Sequence, residues 1–203
     1  MLAALPPNEP EVVPRSGIIF EVMPLTRPPP DQACRKPDGR FATLTRAQIL
    51  AELRTITEKD LHERGDGPLH APLPRLSCRF ETYGAVDHRW FTAFARWVSH
   101  DLFRHFGLSY RKESLDCDNY SLTLNAFADI AQIESPTQQP PHLIGRMIVY
   151  QRFPWANVPA AFSHELVIFR SGKGWFVLEP QNGFIVALAR YPNRETIMEV
   201  LLN

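Results

Sequence analysis

The apolar positions of this chain change period along its length, and the changes divide it. From Thr45 to Leu61, the residues Ile49, Leu50, Leu53, Ile56 and Leu61 return at three- and four-residue steps behind a threonine that can cap them. That spacing predicts an amphipathic helix. Asp87 to Phe106 has the same spacing with a heavier aromatic load, through Trp90, Phe91, Phe94, Trp97, Val98, Leu102 and Phe106, with Asp87 as N-cap. A third helix is expected from Ser114 to Ala131, with Cys117, Tyr120, Leu124, Phe127 and Ala131 on one stripe. After a polar connection at 132–142 the period shortens to two. Residues 144–153, 162–170, 174–179 and 183–189 read as strands parted by Pro, Gly and Asn, and 196–202 as a short closing helix. Helices followed by consecutive strands predict an α+β fold, with the Cys117 helix packed on an antiparallel sheet.

The first 40 residues are different. They hold nearly half of the 19 prolines and one strand-like piece at 17–23. Proline removes backbone donors and blocks helix, so an extended arm is expected, with docking of a protein partner as its functional reading. A breaker zone, Arg64-Gly65-Asp66-Gly67-Pro68 to Pro74, follows the first helix and is read as a turn and boundary. The expected organisation is a proline-rich arm at 1–75, carrying the 45–61 helix, and a second unit at 76–203.

Composition narrows the classes. Apolar residues are 44%, charged residues 22%, and the formal net charge is zero, so no basic field invites nucleic acid. No apolar run approaches the ~20 residues of a membrane helix. The start lacks the basic and apolar segments of a signal peptide. Cys34, Cys78 and Cys117 form no C-x-x-C pair, which disfavours a thiolate zinc site and a disulfide framework. Reduced thiols and a cytoplasmic location are expected, although export by a non-classical route would leave no mark.

The candidate chemistry lies at Cys117. In the first turn of a helix, a thiol meets unpaired N–H groups and the positive end of the dipole, which favour thiolate. Asp116 and Asp118 oppose this and call for capping or a bound cation. Downstream, Ser163-His164-Glu165 and Trp175 to Glu179 flank Ser171-Gly172-Lys173-Gly174, a hairpin signal. A loop of Ser171-Gly172 puts His164 opposite Glu179. A four-residue loop puts His164 opposite Gln181, and a three-residue loop leaves both diagonal. Nucleophile, base and orienting group therefore occur as Cys117, His164 and Glu179, with Gln181 in reserve. Tyr150, Trp155 and Phe162 are candidates to wall a cleft. His88, His100 and His105 do not converge on a metal and read as solvated or structural.

These residues resemble a family. His164 to Phe169 with Gly174 to Pro180 is similar to the histidine-to-acid hairpin of transglutaminase-like proteins, where Asp-Pro usually replaces Glu179-Pro180. Leu115-Asp116-Cys117-Asp118-Asn119-Tyr120 with Glu179-Pro180-Gln181-Asn182-Gly183 resembles the papain-like C-terminal domain of the Marasmius oreades agglutinin family and its bacterial and phage relatives. The resemblance runs from about Cys78 to the C-terminus. It implies a papain-like catalytic domain with a Cys117–His164–Glu179 triad, a peptide or protein substrate, and a calcium requirement for which Asp116 and Asp118 are the candidate ligands. Transglutaminase-type acyl transfer and an inactive interaction module, as in a phage or effector accessory protein, are the alternative functions. No glutamine lies between Cys78 and Cys117, so an oxyanion donor beside the Cys117 N–H is not identified.

Overall fold

The computed structural model describes residues 42–63, 74–107, 116–133 and 140–202. The strand-like piece at 17–23, the prolines before residue 42, Cys34 and the Arg64 to Gly67 turn lie outside the described residues.

The first predicted helix starts where its cap stands. β1 (Thr43–Thr45) leads into α1 (Arg46–Thr57), and Thr45 forms a reciprocal capping box with Gln48. The helix ends four residues earlier than expected, at a left-handed Glu58, so Leu61 enters the core from the approach to β2 (His62–Glu63). Two short strands not foreseen from the sequence follow, β3 (Arg75–Cys78) and β4 (Thr82–Gly84).

The aromatic helix begins at Asp87, whose carboxylate accepts the Trp90 N–H at 2.6 Å. It runs as α2 (His88–Arg96), passes through a π-helical stretch at Trp97–Leu102, and closes as α3 (Phe103–His105). The wide turn explains one departure from the predicted face. With the Phe103 N–H bonded to Val98 O, the helix takes up an extra residue and its last turn rotates. Phe103 is buried in place of Phe106, which is 60% exposed.

Then come α4 (Cys117–Ile133), β5 (Ile144–Gln151), β6 (Phe162–Ser171), β7 (Gly174–Glu179), β8 (Phe184–Ala187) and β9 (Ile197–Leu202). The segment expected to be a closing helix is β9. It lies inside the seven-stranded sheet, ordered β2-β3-β9-β5-β6-β7-β8, parallel to β3 and antiparallel to β5. A six-residue segment that is apolar but for Glu199 is ambiguous by period, and two flanking strands decide it. β1 and β4 pair separately. The protein is α+β, and its sheet is antiparallel from β9 through β8 with a parallel extension to β3 and β2.

Both faces of the sheet are covered. Along β6, Leu166 and Ile168 face a core with Ile49 and Leu53 of α1, whereas Val167 and Phe169 face Phe91, Phe94 and Leu124 of α2 and α4. This double burial explains why β6 reads as an unbroken apolar run. The inner face of α4 is Tyr120, Ser121, Leu124, Asn125 and Ala128, so Phe127 and Ala131 of the predicted stripe sit at its margin. Among the described residues no helix is long and apolar enough to cross a membrane.

One position shows how tightly the sheet centre is built. A Cβ at Gly145 in β5 would collide with the Leu201 carbonyl oxygen and the Leu202 side chain. Gly145→Ala is therefore expected to cost about 3 kcal/mol, since backbone cannot yield as a side chain does. A urea midpoint comparison reads the loss.

Candidate functional site

The histidine–acid pair forms at the end of the β6–β7 ladder. The observed register pairs Arg170 with Trp175 and Ser171 with Gly174, and the ladder ends at Val167↔Leu178. This register, carried forward, sets His164 opposite Gln181. The contact nevertheless goes to Glu179. His164 Nε2 lies 2.6 Å from Glu179 Oε2, and both side chains are fully buried. A long carboxylate on a diagonal position reaches the ring because the chain leaves the ladder after Glu179. The exit is a turn closed by the Gly183 N–H bonded to Glu179 O at 2.8 Å, with Gly183 at a φ of 73°. The Gln181 N–H meets the other carboxylate oxygen, Oε1, at 3.1 Å, so Glu179 is held from two directions.

Cys117 is the first residue of α4. The Tyr120 N–H bonds to Asp116 O at 3.2 Å, and the Asn119 side chain accepts the Asp116 N–H at 3.3 Å, which places Asp116 at the cap and the thiol in the first turn. Cys117, His164 and Gln181 line one cleft of about 480 Å³, closed by Phe162 and the loop through Asn157, Val158 and Pro159. Of the aromatic candidates, Phe162 lines this cleft. Trp155 packs on Tyr191 and Phe184, and Tyr150 is exposed.

The electrostatics follow from burial and neighbours. Burial alone would lower the His164 pKa; contact with Cys117 and the hydrogen bond and charge of Glu179 outweigh it and raise it to about 9. With Nε2 engaged by Glu179, the other nitrogen, Nδ1, is buried without a hydrogen bond of good geometry. It is a ring nitrogen left uncommitted beside the cleft that Cys117 lines. By contrast, Cys78 is pushed up to about 11, chiefly by burial, and is held as an inert thiol.

An acidic group sits beside Cys117. The Asp116 carboxyl is raised above its usual range, first by its hydrogen bond with Asp118 and then by burial, and its Oδ1 is buried without a partner. Glu165 is raised by burial, with Asp118 adding to it, although Arg146 pairs with it at 3.2 Å. Among the described residues no group of three or more His, Cys, Asp and Glu side chains converges as a metal site.

The cleft wall at 157–159 was missed from the sequence. Gln151, fully buried at the end of β5, donates to Val158 O and Pro159 O at 3.0 and 2.7 Å, and Asn182 donates to Ala156 O at 2.6 Å. Ala156, Asn157 and Ala161 all have positive φ, so two side-chain amides, that of Gln151 fully buried, hold a strained loop in place. The signal was there as a Trp-Ala-Asn-Val-Pro turn between two strands. His88 packs against Phe176 with ring centroids 4.5 Å apart and planes tilted by 47°, whereas His100 lines a second pocket.

No family model matches the sequence, and no curated protein matches it. Solved structures do. The fold is similar to Polyporus squamosus lectin bound to the human-type influenza-binding epitope Neu5Aca2-6Galb1-4GlcNAc, with a TM-score of 0.51 and 14% identity over 79% of this chain and 49% of that chain. It is also similar to the structure described as a PSL1a–E64 complex, with a TM-score of 0.52 and 17% identity over 79% of this chain and 50% of that chain. The chain thus spans about half the length of these neighbours, and at such identity the likeness is one of fold.

Proposed function

We propose that this chain is a cysteine peptidase or amidase with a papain-like catalytic fold, into whose core and sheet α1 and β2 are built. The observation that carries the reading is the buried His164–Glu179 contact at 2.6 Å, set in the cleft that Cys117 lines. His164 Nδ1 takes the proton from Cys117, and Glu179 holds the ring and stabilises its charge. The thiolate attacks an amide carbonyl carbon, and the oxyanion that forms is held by the Cys117 N–H and the side-chain amide of Gln181. The first of these donors has no partner within its own helix, as in any first turn. The imidazolium then protonates the departing amine as the C–N bond breaks, leaving a thioester on Cys117. His164 next deprotonates water, which attacks the thioester and releases acid and thiol. One structural neighbour is a complex with E64, and labelling of Cys117 by E64 is a direct trial of the same reading here.

We propose a Ca²⁺ ion at Asp116 and Asp118, which would supply only part of its shell of roughly six to eight oxygens. The orphaned Asp116 Oδ1 and the strained sharing between the two carboxyls are what a cation would relieve, removing negative charge from beside a thiolate. Adding Ca²⁺ after EDTA treatment is expected to raise the Tm by several degrees, on the order of 1–2 kcal/mol. Asp116→Asn with Asp118→Asn should abolish the response.

The test of the reading is turnover of a broad peptide panel by the full chain, read by product mass with and without an added amine. Hydrolysed products that vanish in Cys117→Ser support it. Amine-adducted products would instead mark acyl transfer. No turnover with or without Ca²⁺, together with a stable complex with a partner, would mark a binding module.

A further inference from the structure

The cleft at Cys117 has a neighbour on the far side of Gln181. A second pocket of about 360 Å³ is lined by Ser99, His100, Phe103, Arg104, Tyr120 and Gln181, so Gln181 belongs to both. Among the described residues no carboxylate lines it and none pairs with the exposed Arg104. Tyr120 is 4% exposed, yet its phenol has no hydrogen-bond partner among the described residues. The pocket is also tied to the site: the Ser99 hydroxyl donates to Pro180 O at 2.8 Å, fixing this helix against the turn between Glu179 and Gln181. A guanidinium, an imidazole, a side-chain amide and an unspent phenol, all able to donate, line one space, and Tyr120 stands three residues after Cys117 on the same helix.

We infer that this pocket binds a carboxylate, and that it selects substrates with an acidic side chain close to the bond Cys117 attacks. This rests on the catalytic reading above. An aspartate or glutamate would pair with Arg104 and accept from Tyr120, whereas the matching amide would leave the guanidinium unpaired.

Peptidyl acyloxymethyl ketones that differ only in aspartate or asparagine next to the ketone separate the two. On the full chain, the aspartate compound should alkylate Cys117 about tenfold faster or more. Arg104→Ala should erase that preference while leaving the iodoacetamide rate at Cys117 unchanged. Equal rates for the two ketones, or a preference that survives Arg104→Ala, would overturn the subsite with the nucleophile intact. A second readout needs no thiol chemistry: NMR shift changes with N-acetyl-aspartate amide, N-acetyl-asparagine amide and N-acetyl-alanine free acid. Changes at Arg104, Tyr120 and Gln181 with the aspartate compound alone support the pocket. Changes with the alanine acid alone would overturn the side-chain assignment in favour of a chain end, and no change with either acid would overturn the proposal. If iodoacetamide fails to distinguish Cys117 from Cys78, the catalytic reading falls, and the shifts still decide the pocket.

Discussion

Cys117→Ser is expected to lower peptide or amide turnover by about 10⁴-fold or more while leaving the fold intact. Serine keeps the size of the side chain, and Cys117 stands at the partly exposed head of α4, so packing changes little. What is lost is a nucleophile that gives up its proton readily to an imidazole. Serine in that place needs a far stronger base, although the ring, its acid and the cleft remain. The measurement is kcat/KM on any substrate found in the peptide panel, with Tm recorded beside it. A parallel fall in Tm would mean that the cysteine is structural. Cys78→Ser provides the contrast: that thiol is half-buried with its pKa raised to about 11, and its loss should leave turnover unchanged.

The second large effect lies at Glu179. Glu179→Ala leaves His164 buried and without its partner, and is expected to destabilise the fold by about 3–5 kcal/mol, a figure typical of breaking a buried pair. Glu179→Gln keeps a hydrogen-bonding side chain and isolates the charge. The sign follows from His164, whose ordinary value of 6.5 is raised to about 9 in the folded chain. Its contribution to stability is fully present below pH ~6.5, where folded and unfolded chains both hold the proton, and is lost as pH rises through about 9. The shift corresponds to on the order of 3 kcal/mol. Stability of the wild type should therefore decline between those values, and Glu179→Gln should flatten the decline. The alkaline limb of kcat/KM should fall near pH 9 in the wild type, where the proton for the leaving amine is lost, and move lower in Glu179→Gln. Urea melts across pH and pH–rate profiles read the two effects separately.

How much of this was legible in the chain depended on whether a feature is local. Thr45, Asp87 and the head of α4 declared themselves through side chains that bond within one turn, and the α4 start put Cys117 in its first turn as spaced. The hairpin was equally plain. Its register was left as alternatives, and the outcome combines two of them: the ladder places His164 opposite Gln181, while the hydrogen bond goes to Glu179. That result depends on where the ladder stops and how the Glu179 to Gly183 turn folds back, neither of which strand period encodes. β9 was read as a helix because its neighbours β3 and β5 are distant in sequence. The π-helical turn at Trp97–Leu102 carries no composition signal, so the exposure of Phe106 could not be anticipated. The roles of Gln151 and Asn182 as clamps on the cleft wall are long-range hydrogen bonds of the same kind.

The central claim is that His164 and Glu179 activate Cys117. It is tested most directly by the rate at which iodoacetamide alkylates each cysteine of the full chain between pH 5 and pH 9, read by peptide mass spectrometry. Cys117 is expected to react at least about tenfold faster than Cys34 or Cys78 at pH 6, and His164→Ala to remove this advantage. Equal rates at Cys117 and the other two cysteines at pH 6, unchanged by His164→Ala, would contradict it.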